Sequence, residues 1–108
     1  MPRLTSLNRS VSGLVALVTG AASGMGRATA FVLADEGAKV AVTDAVDPAP
    51  VVDAITEAGG EAIGRVLDVS DGAAIARVVS DVAAHFGGID ILINNAGIAR
   101  PAPLDAPG

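Results

Sequence analysis

Apolar residues along this chain come in short blocks set apart by small and polar ones. Leu14–Thr19 (LVALVT) is a continuous apolar run, the pattern of a strand buried on both faces. It leads directly into a glycine-rich turn, Gly20 to Gly26. The next stretch, Met25–Glu36, reads as a helix with Phe31, Val32 and Leu33 available for burial and Gly37 placed to end it. Lys39–Thr43 is a second short strand, ending at Asp44. Pro48 and Pro50 break the chain before a helix over Val51–Ala58, which Gly59 and Gly60 close. Ala62–Leu67 is a weaker third strand, because Gly64 and Arg65 interrupt it. From Asp71 to Phe86 the residues Ile75, Val78, Val79, Val82 and Phe86 recur at helical spacing, with Ser70 as the expected cap and Gly87 as the stop. Ile89–Asn94 (IDILIN) is the fourth strand.

Strands alternating with helices predict parallel pairing through right-handed crossovers, hence an α/β doubly wound parallel sheet with helices on both faces. The expected strand order is 3-2-1-4. It places a topological switch point between the first and fourth strands, and ligands bind in that crevice at the carboxyl ends of the strands.

The chemistry suggested by the sequence falls at those carboxyl ends. After the first strand, Gly20, Gly24 and Gly26 let the chain turn into a helix while its first N–H groups stay bare, which suits an anion such as a pyrophosphate. A plain connecting loop can look similar. Asp44 closes the second strand, where a carboxylate can accept hydrogen bonds from ribose hydroxyls; a turn carboxylate is the other reading. Asp68 and Val69 close the third strand and could border an adenine ring, although Asp68–Asp71 equally suits the start of a helix. Asn94 and Asn95 leave the fourth strand, followed by Ala96 and Gly97. Consecutive asparagines leaving a buried strand need their amides satisfied by backbone or ligand, or they simply make a turn with the glycine.

Composition narrows the reading. Of the 108 residues 51% are hydrophobic and only 2% aromatic, so the core must come from Ala, Val, Ile and Leu. Few aromatics and a net charge of −5 argue against nucleic acid as a partner. No apolar run is long enough to span a bilayer, so no membrane partner is expected. The lack of cysteine excludes disulfides and thiolate metal sites and is compatible with a cytoplasmic location. His85, the single histidine, reads as a solvated residue near a helix end. Met1–Ser12 reads as a polar tail before a domain over residues 13–108. Its arginines, Arg3 and Arg9, ahead of an apolar run loosely imitate a targeting segment, but the first strand accounts for that run.

Taken together, these motifs resemble the short-chain dehydrogenase/reductase family. Thr19-Gly20-Ala21-Ala22-Ser23-Gly24-Met25-Gly26 is similar to the family's TGxxxGxG turn, and Asn94-Asn95-Ala96-Gly97 to its NNAG motif, with Asp44 and Asp68-Val69 between them in the right order. The resemblance implies a Rossmann-like fold, NAD as cofactor and, for the intact protein, hydride transfer on a small alcohol or carbonyl substrate by a homo-oligomer. It further implies that Gly20, Ser23, Gly24, Met25 and Gly26 line pyrophosphate and ribose, Asp44 the adenosine ribose, Asp68 and Val69 the adenine, and Asn95, Ala96 and Gly97 the nicotinamide-side ribose. NADP-preferring members carry a basic residue before the middle glycine or after the second strand, where this chain has Ser23 and Ala45.

One departure is equally informative. The family's catalytic Asn, Ser, Tyr and Lys lie beyond the NNAG segment; this chain has no tyrosine, and its one lysine, Lys39, begins the second strand. No catalytic residue is therefore assigned, and the expectation is a truncated cofactor-binding half, a fragment whose chemistry lies in further sequence. A non-catalytic dinucleotide-binding module and a nucleotide-binding fold of another class, such as a methyltransferase, are the alternatives. The fourth strand leaves an open apolar edge with Asp90 as its only charge, which predicts self-association of the isolated chain.

Overall fold

The computed structural model describes residues 11–95. Four strands and three helices alternate: β1 (Val15–Thr19), α1 (Gly24–Asp35), β2 (Lys39–Asp44), α2 (Ala49–Glu57), β3 (Glu61–Val66), α3 (Gly72–Phe86) and β4 (Ile91–Asn94). The strands form one sheet in the order β3-β2-β1-β4, with every pairing parallel. This is the α/β doubly wound, Rossmann-like arrangement expected from the alternation.

Helices cover both faces. Under α1 and α2 the core consists of Val18, Val40, Val42, Ala30, Val51 and Ile55, and under α3 of Val15, Leu17, Ala41, Leu67, Val78 and Val82. The two central strands alternate between these cores, so β1 is buried along its full length. Small aliphatic side chains suffice because α1 lies close to the sheet: its buried residues are Gly26 and Ala30, one turn apart. That closeness corrects one expectation. Val32 is not drawn into the core but stands 60% exposed, while Phe31 and Leu33 are half-buried at the margin.

Most boundaries shift by one or two residues, the helix expected over Val51–Ala58 running Ala49–Glu57 and the strand expected over Ala62–Leu67 running Glu61–Val66, and two of the differences reassign side chains. Ser70 does not cap α3; the carboxylate of Asp71 does, accepting hydrogen bonds from the N–H groups of Ala73 (3.0 Å) and Ala74 (3.2 Å). β4 begins at Ile91 rather than Ile89, and Asp90 is not a charge on its outer edge. Asp90 faces β1, accepting from the Val15 N–H on its carboxylate (2.8 Å) and donating its own N–H to the Val15 carbonyl (2.8 Å). The exposed side of β4 then presents Leu92, 63% exposed. His85 lies exposed in the last turn of α3, as its position in the sequence suggests.

Candidate functional site

The glycine turn is built to hold α1 against the end of β1. Gly24 has φ of 59°, a left-handed conformation costly to any residue with a Cβ. At Gly26 the constraint is space: a Cβ there would overlap the Gly20 carbonyl and sit 3.1 Å from the Ala21 Cα. The turn is tied to β2 by two bonds. The Ala21 N–H donates to the Thr43 carbonyl (2.9 Å), and the Ala22 N–H donates to the Asp44 carboxylate (2.9 Å). Thr43, fully buried, donates its hydroxyl to the Val18 carbonyl (2.8 Å), locking the ends of β1 and β2 together.

Beyond these ties the start of α1 is bare. Ser23 occupies the N-cap with extended backbone, but its side chain makes no capping bond. The first N–H that finds a backbone acceptor is that of Arg27, which donates to the Ser23 carbonyl. Among the described residues, nothing accepts from the N–H groups of Gly24, Met25 and Gly26. Aligned donors of this kind at a helix N-terminus, where the helix dipole is positive, suit an anion. Met25, 76% exposed, and Ser23 flank them in solvent.

Asp44 lies beside this cradle with one carboxylate oxygen on the Ala22 N–H and the other on the Val46 N–H (3.2 Å). Each oxygen keeps a further lone pair for an incoming hydroxyl. The turn and Asp44 are therefore one hydrogen-bonded unit, as the ribose reading requires.

The remaining candidates line a second part of the same sheet edge. Asp68 and Val69 border a crevice of about 370 Å³ shared with Thr19, Leu67 and Asn94. Asp68 accepts from both the hydroxyl (2.7 Å) and the N–H (2.9 Å) of Ser70. Those two bonds, the hydroxyl's first, hold its carboxyl below the usual carboxylate range.

Thr19 joins the two asparagines to β1. Its hydroxyl donates to the Asn94 Oδ1 (2.8 Å) and accepts from the Asn95 N–H (3.0 Å). That role is absent from the sequence reading, although a threonine closing a strand opposite paired asparagines is a usable signal. Among the described residues the buried Nδ2 of Asn95 has no hydrogen-bond partner, a cost that a ligand acceptor would remove. Ala96 and Gly97 lie outside the described residues. The structure thus gathers Gly20, Ser23, Gly24, Met25, Gly26 and Asp44 around one turn, and places Asp68, Val69 and Asn95 along the adjoining strand ends. The described residues contain no group of acidic and histidine side chains that could hold a metal.

A parallel sheet whose switch point carries a bare helix start and a strand-end carboxylate belongs to the doubly wound α/β class, in which ligands bind at the carboxyl ends of the strands. Comparison with known proteins narrows the class. The family model described as short chain dehydrogenase matches residues 14–106. The chain is 48% identical over 92 residues to a cis-4-hydroxycyclohexanecarboxylate dehydrogenase of Sinomonas cyclohexanicum, covering 83% of this chain and 37% of that one. It is 46% identical over 88 residues to a peroxisomal hydratase-dehydrogenase-epimerase of Neurospora crassa, covering 82% of this chain and 10% of the other. Among solved structures, a hydroxysteroid dehydrogenase from Escherichia coli superposes with a TM-score of 0.81 at 34% identity, over 85% of this chain and 40% of that one. The chain belongs to the short-chain dehydrogenase family and spans well under half the length of these relatives. No helix among the described residues is long and apolar enough to cross a membrane.

Proposed function

We propose that this chain is the NAD-binding part of a short-chain oxidoreductase acting on a small alcohol or carbonyl compound. The observation that carries the cofactor choice is the Asp44 carboxylate, bonded to the Ala22 N–H of the glycine turn and so held beside the anion cradle. The turn's N–H groups would receive the pyrophosphate, Asp44 the adenosine ribose, Asp68 and Val69 the adenine, and Asn95 with Ala96 and Gly97 the second ribose. The bound cofactor would supply hydride exchange with the substrate's carbinol or carbonyl carbon. The residues fit such a group on three counts: Gly26 lets α1 close onto the backbone of the Gly20 turn, the start of α1 is uncapped, and the Asn95 Nδ2 has no partner among the described residues.

Asp44 also selects against a phosphate on the adenosine ribose. Two like charges about 4 Å apart in a partly wet site repel by on the order of 4 kcal/mol, and half of that after screening is roughly thirty-fold in affinity. The Arg27 guanidinium, in the first turn of α1, is engaged elsewhere, stacked over the Phe31 ring 4.7 Å from its centroid. The proton-transfer groups of the family have no counterpart here, since the 108 residues contain no tyrosine. In this reading the chain binds NAD without turning over substrate by itself, works in the cytoplasm, and belongs to a homo-oligomer when intact.

Calorimetric titration with NAD and NADP tests the proposal. NAD is expected to bind about thirty-fold more tightly than NADP, with the preference lost in Asp44→Ala. Equal affinity of the unaltered chain for both cofactors would remove the role given to Asp44, and no binding of either would remove the reading altogether.

A further inference from the structure

A groove of about 580 Å³ lies at the opposite end of the sheet from the cradle, between the closing turns of α1 and α2. Phe31, Val32, Asp35 and Gly37 form one wall, and Ile55 and Gly60 part of the other. The floor is tight, because a Cβ on Gly60 would lie 2.7 Å from the Ile55 Cγ2 and 3.4 Å from the Ala34 Cβ. The upper wall carries Val32, whose 60% exposure is unusual for a valine beside a core.

The chain enters the fold next to this groove. The Gly13 N–H donates to the Gly37 carbonyl (2.9 Å), and the Ser12 Cα sits 3.2 Å from where a Cβ on Gly37 would lie. The described chain therefore starts beside a groove wall. The segment that precedes it, MPRLTSLNRS, carries two leucines, Leu4 and Leu7, and two arginines, Arg3 and Arg9, without an acid. The groove has the opposite charge: Asp35, the first acid in the sequence, lines it, and Glu36 and Glu57 adjoin the lining residues Asp35 and Ala58. Reach is ample. An extended chain spans about 17 Å over the five residues from Ser12 back to Leu7, whereas the helix from Gly37 to Phe31 rises only about 9 Å.

We propose that the leading segment of this chain docks in the α1–α2 groove, with Leu7 and Leu4 against Val32 and Phe31 and its arginines toward Asp35, Glu36 and Glu57. Tethering favours this occupant over an outside one, because a segment attached beside its site acts at millimolar effective concentration. The docked segment covers the apolar wall of the helix whose other end forms the anion cradle.

Disulfide trapping tests the proposal directly, because the chain has no cysteine of its own. Leu7→Cys with Val32→Cys, the latter at an exposed position, is oxidised gently at low micromolar concentration. Leu7→Cys with Val79→Cys, on the exposed side of α3, is the control. The groove pair is expected to close into an intramolecular disulfide at least about ten-fold faster than the control, as mass spectrometry of the monomer would show. Adding Arg3→Glu and Arg9→Glu should slow the closure several-fold at low salt. Equal closure rates for the two pairs would overturn the proposal. Disulfide-linked dimers in place of closed monomers would also overturn it and assign the groove to a second copy of the chain.

Discussion

The starts of α1 and α3 lie on the same carboxyl edge of one sheet and are finished in opposite ways. At α3 the Asp71 carboxylate takes the Ala73 and Ala74 N–H groups, so the helix supplies its own acceptor. At α1 the N-cap serine makes no such bond, and the helix opens on Gly24, which has no side chain to supply one. A fold stabilised by every local means would cap both. Leaving one start bare, on the helix whose turn is tied to Asp44, forgoes about 1 kcal/mol of local stability and keeps donors ready for an outside anion. α2 shows a third arrangement: Pro50 lies in its first turn, and Asp47 accepts from the Ala49 N–H (3.0 Å). The contrast, more than the glycine pattern alone, supports the cofactor role proposed for the start of α1.

The sharpest way to break the comparison is to push α1 off the turn that precedes it. Gly26→Val puts a Cβ into the Gly20 carbonyl, so α1 must lift from β1. Overpacking of this kind is expected to cost about 3 kcal/mol in urea unfolding and to abolish NAD binding in calorimetry. A variant with unchanged stability and affinity would mean that the close approach of α1 is not required. A smaller effect separates the two caps. Asp71→Ala should lower stability by about 1 kcal/mol and leave NAD affinity unchanged, whereas Ser23→Ala should alter stability by no more than about 0.3 kcal/mol. Equal destabilisation by the two would show that Ser23 caps α1 after all, and the contrast would fail.

Much of this arrangement was legible in the sequence, and the exceptions share a physical cause. Strand order, the two-faced core and the glycine turn follow from apolar runs alternating with amphipathic stretches, a pattern that survives errors of a residue or two at the boundaries. The cap of α3 did not follow, because Ser70 and Asp71 both favour that position and only the path of the chain decides between them. The burial of Val32 was misjudged because periodicity ranks side chains by apolarity. The face of α1 that meets the sheet instead carries its smallest residues, Gly26 and Ala30. Asp90 looked like an edge charge because it falls within an apolar run, and only the bond to the Val15 N–H shows where its carboxylate points. The orphaned amide of Asn95 could not be read from sequence at all, since it depends on Thr19 taking the backbone N–H and leaving the side chain aside.

The mildest test concerns the residue displaced from the α3 cap. Ser70 directs its hydroxyl and its N–H at Asp68 instead, and both bonds favour the ionised carboxylate. A carboxyl whose folded pKa is depressed adds stability above its unfolded pKa and loses that contribution as pH falls through the folded value. Ser70→Ala removes the larger of the two causes, so the Asp68 titration should move upward while the retained N–H bond keeps it below the ordinary range. Carbon-13 NMR of the side-chain carboxyl reads this directly, and the Asp68 contribution lost on acidification should be smaller and fully lost at a higher pH than in the unaltered chain. Because Asp68 is exposed, the effect on stability at neutral pH should be too small to resolve, in contrast to Asp71→Ala one residue away. An unchanged titration would show that the Ser70 hydroxyl points elsewhere in solution, and would leave this serine open as a second cap for α3.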